Sequence, residues 1–137
     1  MTLPIVKNNL RLYEVKAEIY SDELGFARLD FFPGTEIDEK DAREILRISL
    51  QTRTGDERFY VLIDLENLER VNDKARDFLA GDEMLDFLAA IALVAKTPAM
   101  KLVGNFFIRY HKPRLPVRLF SEIEPARKWL SGVRGSS

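Results

Sequence analysis

Phe59–Ile63 (FYVLI) is the stretch that most constrains what this chain can fold into. Five apolar residues in succession, without alternation, suit a strand covered on both faces, as in the middle of a parallel sheet. Asp64 ends the run, and after the short link Leu65–Val71 the chain reaches Asn72-Asp73-Lys74-Ala75. Asn72 reads as a helix N-cap, and Asp73 as a first-turn acid favoured by the helix dipole. A buried strand, a short loop at its carboxyl end and a capped helix form the usual place for an α/β domain to put a site.

The flanking sequence supplies neighbours for this unit. Leu10–Tyr20 alternates apolar with charged residues, with a shift of phase near Tyr13 of the kind a bulge or twist produces, and reads as a half-buried edge strand. Ser21–Gly25 turns the chain into Phe26–Phe32, so the two strands read as a hairpin, stopped by Pro33-Gly34. Glu36–Thr52 has helical periodicity. Asp38 and Asp41 resemble a capping box that starts the helix there, and Thr54-Gly55-Asp56 closes it. A second helix runs from Asp73 to about Ala80, capped by Gly81-Asp82, with a further turn at Glu83–Phe87. Leu88–Ala95 (LAAIALVA) is another unbroken apolar strand. Pro98 opens a third helix through Phe107 towards His111, whereas Pro113 and Pro116 exclude helix. Val117–Phe120 makes a short last strand, and Glu122–Leu130, capped by Ser121, a last helix, with Gly132–Ser137 expected to fray.

The order is ββαβαβαβα. It predicts one α/β domain over residues 1–137, core about 10–130, with a mixed, mostly parallel five-stranded sheet and right-handed crossovers. At 46% hydrophobic and 31% charged, the chain fills a core without staples. Lys+Arg 21 against Asp+Glu 22 leaves a net charge of -1, so no general basic field favours nucleic acid. Without cysteine there are no disulfides, thiolate zinc sites or thiol nucleophiles, which fits a reducing compartment. The opening MTLPIVKNN lacks a signal-peptide core, and no run approaches the roughly 20 apolar residues of a membrane helix. A cytoplasmic protein without membrane insertion is expected.

Chemistry-bearing constellations are thin. His111 is the sole histidine, and neither GxGxxG nor GxxxxGK[ST] is present. Asp30, Asp64 and Asp73 read as turn and cap residues rather than ligands for a hard cation. The expectation is therefore no enzyme, no metal and no cofactor. One basic segment stands out: Arg109, His111, Lys112, Arg114 and Arg118, with Tyr110 between them. It is a candidate patch for an anion or an acidic partner, although the neutral chain favours a solvated loop that keeps an edge strand soluble.

The segments VLIDLENLERVNDKAR and AAIALVAKTPAMKLVGNFFIRYHKPRLPVRLFSEIEPARKWL, with the hairpin before them, resemble the STAS-like, SpoIIAA-like group related to bacterial anti-sigma-factor antagonists, in its CRAL-TRIO-like bacterial branch. The resemblance spans about Leu10 to Leu130. Its most specific parts are Gly104-Asn105-Phe106-Phe107, Pro116–Phe120 and Ala126…Trp129-Leu130. It implies a (βα) superhelix with strands in roughly sequential order and helices mostly on one side. It also implies a switch, in which a serine opening the helix after the central strand gains nearly two negative charges on phosphorylation. That position falls on Asn72, Asp73 and Lys74, and Asp73 stands where the serine would be. A fixed carboxylate there either imitates the phosphorylated state or simply stabilises its helix by about 0.3–1 kcal/mol.

The function expected from the resemblance is a non-catalytic regulatory or protein-interaction module with a regulatory protein partner. The alternative is a carrier or sensor of a small apolar or amphipathic ligand, for which Phe31, Phe32, Phe78, Phe87, Phe106 and Phe107 are candidate contacts as well as candidate core. A homodimer is expected from counting covers. With helices on one side, Phe59–Ile63 and Leu88–Val94 still present a second apolar face, which a two-fold partner would cover unless a helix such as Pro98–Phe107 crosses over. Truncating Ile63 or Ile91 to Ala is expected to cost about 2–5 kcal/mol each.

Because Asp73 has no hydroxyl, incubation with an anti-sigma-type kinase should leave the Asn72–Ala75 peptide unmodified. Phosphate mapped to that peptide by mass spectrometry would overturn the reading.

Overall fold

The structure is a computed structural model that describes residues 7–11, 15–51, 58–111 and 114–135, with side chains for 16–51, 58–109 and 114–135. In chain order its elements are β1 (Lys7–Arg11), β2 (Val15–Ser21), β3 (Ala27–Phe31), β4 (Thr35–Ile37), α1 (Glu39–Gln51), β5 (Phe59–Asp64), β6 (Leu68–Val71), α2 (Asp73–Leu79), α3 (Asp82–Leu85), β7 (Leu88–Val94), α4 (Pro98–His111), β8 (Val117–Phe120) and α5 (Ile123–Gly135). The main sheet has the order β1-β2-β3-β5-β7-β8; its first two pairings are antiparallel and the other three parallel. β4 and β6 pair in parallel as a separate ribbon, so the expected link Leu65–Val71 contains a strand.

The mixed, mostly parallel sheet agrees with the sequence reading, with one strand added. Leu10–Tyr20 is not continuous but divides into the antiparallel pair β1 and β2, so five expected strands become six. The shift of phase therefore marks a reversal of the chain; Tyr13 itself, like Thr54-Gly55-Asp56, lies outside the described residues. At the other end, α5 runs through Gly132 to Gly135, which corrects the expected fraying. Its last turn has tertiary partners: Arg134 Nη1 donates to the Leu24 carbonyl at 2.8 Å, and its guanidinium lies 4.2 Å from the Phe26 ring centroid.

Local chemistry places the helix starts as read. Asp41 N–H donates to Asp38 Oδ1 at 2.9 Å and Asp38 N–H to Asp41 Oδ2 at 3.1 Å, a reciprocal capping box. Lys16 Nζ joins the same Asp41 oxygen at 2.8 Å, tying the start of α1 to β2. Asn72 Oδ1 accepts from Ala75 N–H at 2.9 Å, and Thr97 Oγ1 from Met100 N–H at 3.2 Å. α4 comes close to β8 because Gly104 has no side chain; a Cβ there would stand 2.8 Å from Leu119 Cδ1.

Sequential parallel strands with right-handed crossovers put successive helices on one face of a sheet. Here α1 to α4 cover a first face that includes Ile19, Leu29, Phe31, Ile91, Leu93 and Val117. The second face, with Leu62, Ala90, Ala92 and Val94, packs under Ala126 and Leu130 of α5, beside Phe26. Ala90, Ala92 and Ala126 are small enough for the helix to lie close to the sheet. The cover required by the two apolar strands thus comes from within the chain, by α5 rather than Pro98–Phe107, and the premise for a two-fold partner does not hold. Arg127 fastens α5 to the β2–β3 turn by an ion pair with Glu23, and its Nε lies 3.7 Å from buried Asp22.

The two core isoleucines differ. Ile91 is 2% exposed, whereas Ile63 is half-buried, which corrects the expectation of equal burial. Ile91→Ala should cost about 2–5 kcal/mol in chemical denaturation. Ile63→Ala should cost clearly less, since part of its surface never left water; equal losses would contradict this placement.

Candidate functional site

In the middle of a six-stranded sheet, β5 should be buried on both sides. Leu62 on the second face is 0% exposed, but Phe59, Val61 and Ile63 on the first face are only half-buried. Their remaining surface faces a cavity of about 1150 Å³. Its walls are Ile19, Leu29, Phe31, Ile91 and Leu93 from the sheet, Ile45 and Leu46 of α1, Leu79 of α2, Met84 of α3 and Phe107 of α4, with Ile37 and Leu68 from the small ribbon. Ligand pockets usually measure about 300–1,000 Å³ and are lined mostly by apolar side chains, so this space is ample for a small molecule.

The lining changes at the end of the sheet where β3, β5 and β7 begin. There Ser21, Gln51 and Arg58 follow the aliphatic walls, and the lining takes in Tyr20, Arg28 and Tyr60, which share the second face with Leu62, and Arg134 of α5. Arg28 lies 5.5 Å from the Tyr20 ring centroid, and its Nη2 donates to Asp30 Oδ1 at 3.1 Å. The Tyr20 hydroxyl donates to Asp30 Oδ2 at 2.6 Å; burial, then this bond and the Asp30 charge, push the phenol well above its ordinary value, so it stays protonated. Arg28 Nε is buried with no acceptor among the described residues. Arg58 is exposed and has no ion pair among the described residues.

At the opposite end of the strands, where the sequence placed its site, the geometry is that of caps and turns. Asn72, Asp73 and Lys74 open α2 with exposed side chains; the Asp73 carboxylate is 87% exposed and pairs with Arg76. Asp30 and Asp64 are register partners across β3 and β5, far enough along different elements that Asp73 does not join them. Among the described residues no group of three His, Asp or Glu side chains converges to hold a metal. Burial chiefly, opposed by the Glu66 N–H bond at 2.9 Å and reinforced by the Asp30 charge, raises the Asp64 carboxyl above its usual value.

Of the five basic residues, the three with described side chains lie on separate segments. Arg109 is exposed on α4, Arg114 pairs with Asp82, and Arg118, on β8, lies 5.3 Å from the Phe120 ring centroid on the second face. His111 ends α4, but its side chain and the whole of Lys112 lie outside the described residues. Of the six phenylalanines considered as ligand contacts, Phe31, Phe87 and Phe107 line the cavity. Phe32, Phe78 and Phe106 do not; Phe78 lies under Arg43 at 4.6 Å and Phe106 under Arg76 at 4.8 Å. The polar end of the cavity escaped sequence reasoning because its residues come from five separate segments. Its one local signal is Arg28, a charge inside an otherwise apolar strand start.

The chain belongs to the family described as a domain of unknown function (DUF7793), whose model matches residues 23–134. In fold it is similar to a solved structure of an uncharacterised protein of the DUF3478 family, with a SpoIIAA-like fold, from Shewanella loihica PV-4. The TM-score is 0.59 at 12% identity, over 95% of this chain and 98% of that one. The SpoIIAA-like architecture expected from the sequence is thereby established. No curated protein matches the chain. Among the described residues, no helix is long and apolar enough to cross a membrane.

A raised carboxyl means that folding penalises ionised Asp64, a cost absent below the unfolded value near 3.9 and fully present above the folded one. Asp64→Asn keeps an acceptor for Glu66 N–H and removes the repulsion from Asp30. The variant should be at least as stable as the parent at pH 7, with any gain vanishing as the pH falls below about 4. A lower denaturation midpoint at neutral pH would show that the Asp64 charge contributes something not included here.

Proposed function

We propose that this protein is a non-catalytic binding module whose ligand is a small apolar or amphipathic molecule held between the first face of the sheet and helices α1 to α3. The half-buried state of Val61 and Ile63 on a central strand carries this reading. Apolar side chains that face an unfilled space forfeit dispersion contacts and remain costly in water, and a ligand of matching character restores both. The polar groups of the lining suit orientation rather than chemistry. Ser21 and Ser49 have no histidine or carboxylate beside them in the lining, and Tyr20 is held protonated.

A second reading, a regulatory interaction module, draws on Asp73, whose fixed charge stands exposed at the start of α2. The two readings meet on one helix, since Leu79, at the far end of α2, lines the cavity.

Native mass spectrometry of freshly purified protein tests the proposal. A copurifying small molecule should be released on denaturation, and Ile63→Phe, which fills the space, should reduce its occupancy while the chain remains folded. Protein that carries no adduct and takes up no apolar dye would defeat the carrier reading; a clean dimer in the same spectra would favour the interaction module.

A further inference from the structure

We infer that the occupant of the cavity is a single long hydrocarbon chain lying along β5, with its tip stopped by the β4–β6 ribbon, so that the ribbon sets the chain length the cavity accepts; this rests on the binding-module reading above. The open surface of the cavity is not spread evenly over the sheet. Ile19, Leu29, Ile91 and Leu93, on the strands to either side of β5, are buried. Alanines aside, the residues of the main sheet that line the first face and stay half-buried are Phe59, Val61 and Ile63, in line on one strand. Neighbouring strands lie about 4.8 Å apart, so a furrow that follows one strand suits an extended chain better than a broad ring system.

The two ends of the furrow differ. β4 follows β3, β6 follows β5, and β3 and β5 are parallel, so the ribbon stands past their carboxyl ends. There Ile37, Leu65 and Leu68 line the cavity and are 2%, 2% and 4% exposed. At the other end the lining residues Ser21, Gln51 and Arg58 are exposed. α1 connects the two: it begins just after β4 and lines the cavity with Ile45, Leu46, Ser49 and lastly Gln51. A buried apolar end and an exposed polar end admit such a molecule tail first and leave its head at water. From Phe59 to Leu65, whose N–H still bonds the Val94 carbonyl at 2.8 Å, the furrow runs roughly 20 Å at about 3.3 Å per residue. Each methylene down to that depth leaves water for apolar walls, and a longer chain meets the ribbon.

A homologous series tests the length stop. Delipidated protein loaded with a neutral environment-sensitive dye is titrated with octanol, dodecanol, hexadecanol and eicosanol, which differ in length alone. Displacement should tighten about fourfold per added methylene while apolar wall remains to be covered, a buried CH₂ being worth about 0.8 kcal/mol, and then stop tightening. Leu68→Ala, which deepens the ribbon end, should move the break to longer alcohols. Ile63→Phe, which fills the furrow midway, should move it to shorter ones. Thermal unfolding checks that each variant is folded, and either one alone carries the test. Equal displacement by all four alcohols, tightening without a break, or a break that a folded variant leaves in place would overturn the length stop and keep the binding module. Protein that takes up neither the dye nor any alcohol would remove the binding module itself.

Discussion

The order of the parallel strands is the constraint on which the rest depends. β3, β5, β7 and β8 are neighbours in the sequence order of their appearance, so each right-handed crossover returns its helix to the same side of the sheet. The second face cannot be served by a crossover at all. It is left to α5, which follows β8. Its docking rests on three alanines that permit close approach and on the β2–β3 turn, which acts as a latch. Asp22 Oδ1 accepts from Leu24 N–H at 2.9 Å and Phe26 N–H at 3.0 Å, shaping the turn, while Arg127 and Arg134 grip it from the helix. Gly25, at φ 84°, supplies the backbone conformation that the turn requires. The early hairpin and the last helix therefore hold each other in place across most of the chain.

The cavity follows from lengths on the first face. β5 has six residues, roughly 20 Å at about 3.3 Å each, whereas α2 has seven and is roughly 10 Å long at 1.5 Å each. α2 packs against α1 and gives way at Ala80 and Gly81 to the single turn of α3, so no helix of the length of β5 follows it in the chain before β7. Phe59, Val61 and Ile63 on that face of β5 stay half-buried.

Strand positions, helix starts and the crossover topology were legible because they depend on short-range pattern. The capping box at Asp38 and Asp41 and the Asn72 cap are exchanges within four residues, and the two apolar runs announce central strands by composition alone. What the sequence concealed depends on contacts between distant segments. Gly132 argues locally for an end to α5, yet the contacts of Arg134 with Leu24 and Phe26 carry the helix past it. Ile63 and Ile91 are the same residue type in similar runs, and nothing in either run tells a wall of packed core from a wall of cavity, since apolar side chains suit both.

A domain of this size can keep such a space because the second face and the far end of the first are closely packed. Leu62, Leu93, Val94, Leu130 and Phe26 are its largest fully buried side chains, and four of the five come from β5, β7 or α5. The sheet is thus braced from behind while its front stays open. On the proposed reading, a ligand that binds only the folded chain adds RT ln(1 + [L]/Kd) to its stability, and the gain falls on the elements that line the space. α2 is one of them, through Leu79, and it carries Asp73 at its other end. On that reading the Asp73 charge is constant, and occupancy of the cavity would act on this surface through how firmly the helix is seated.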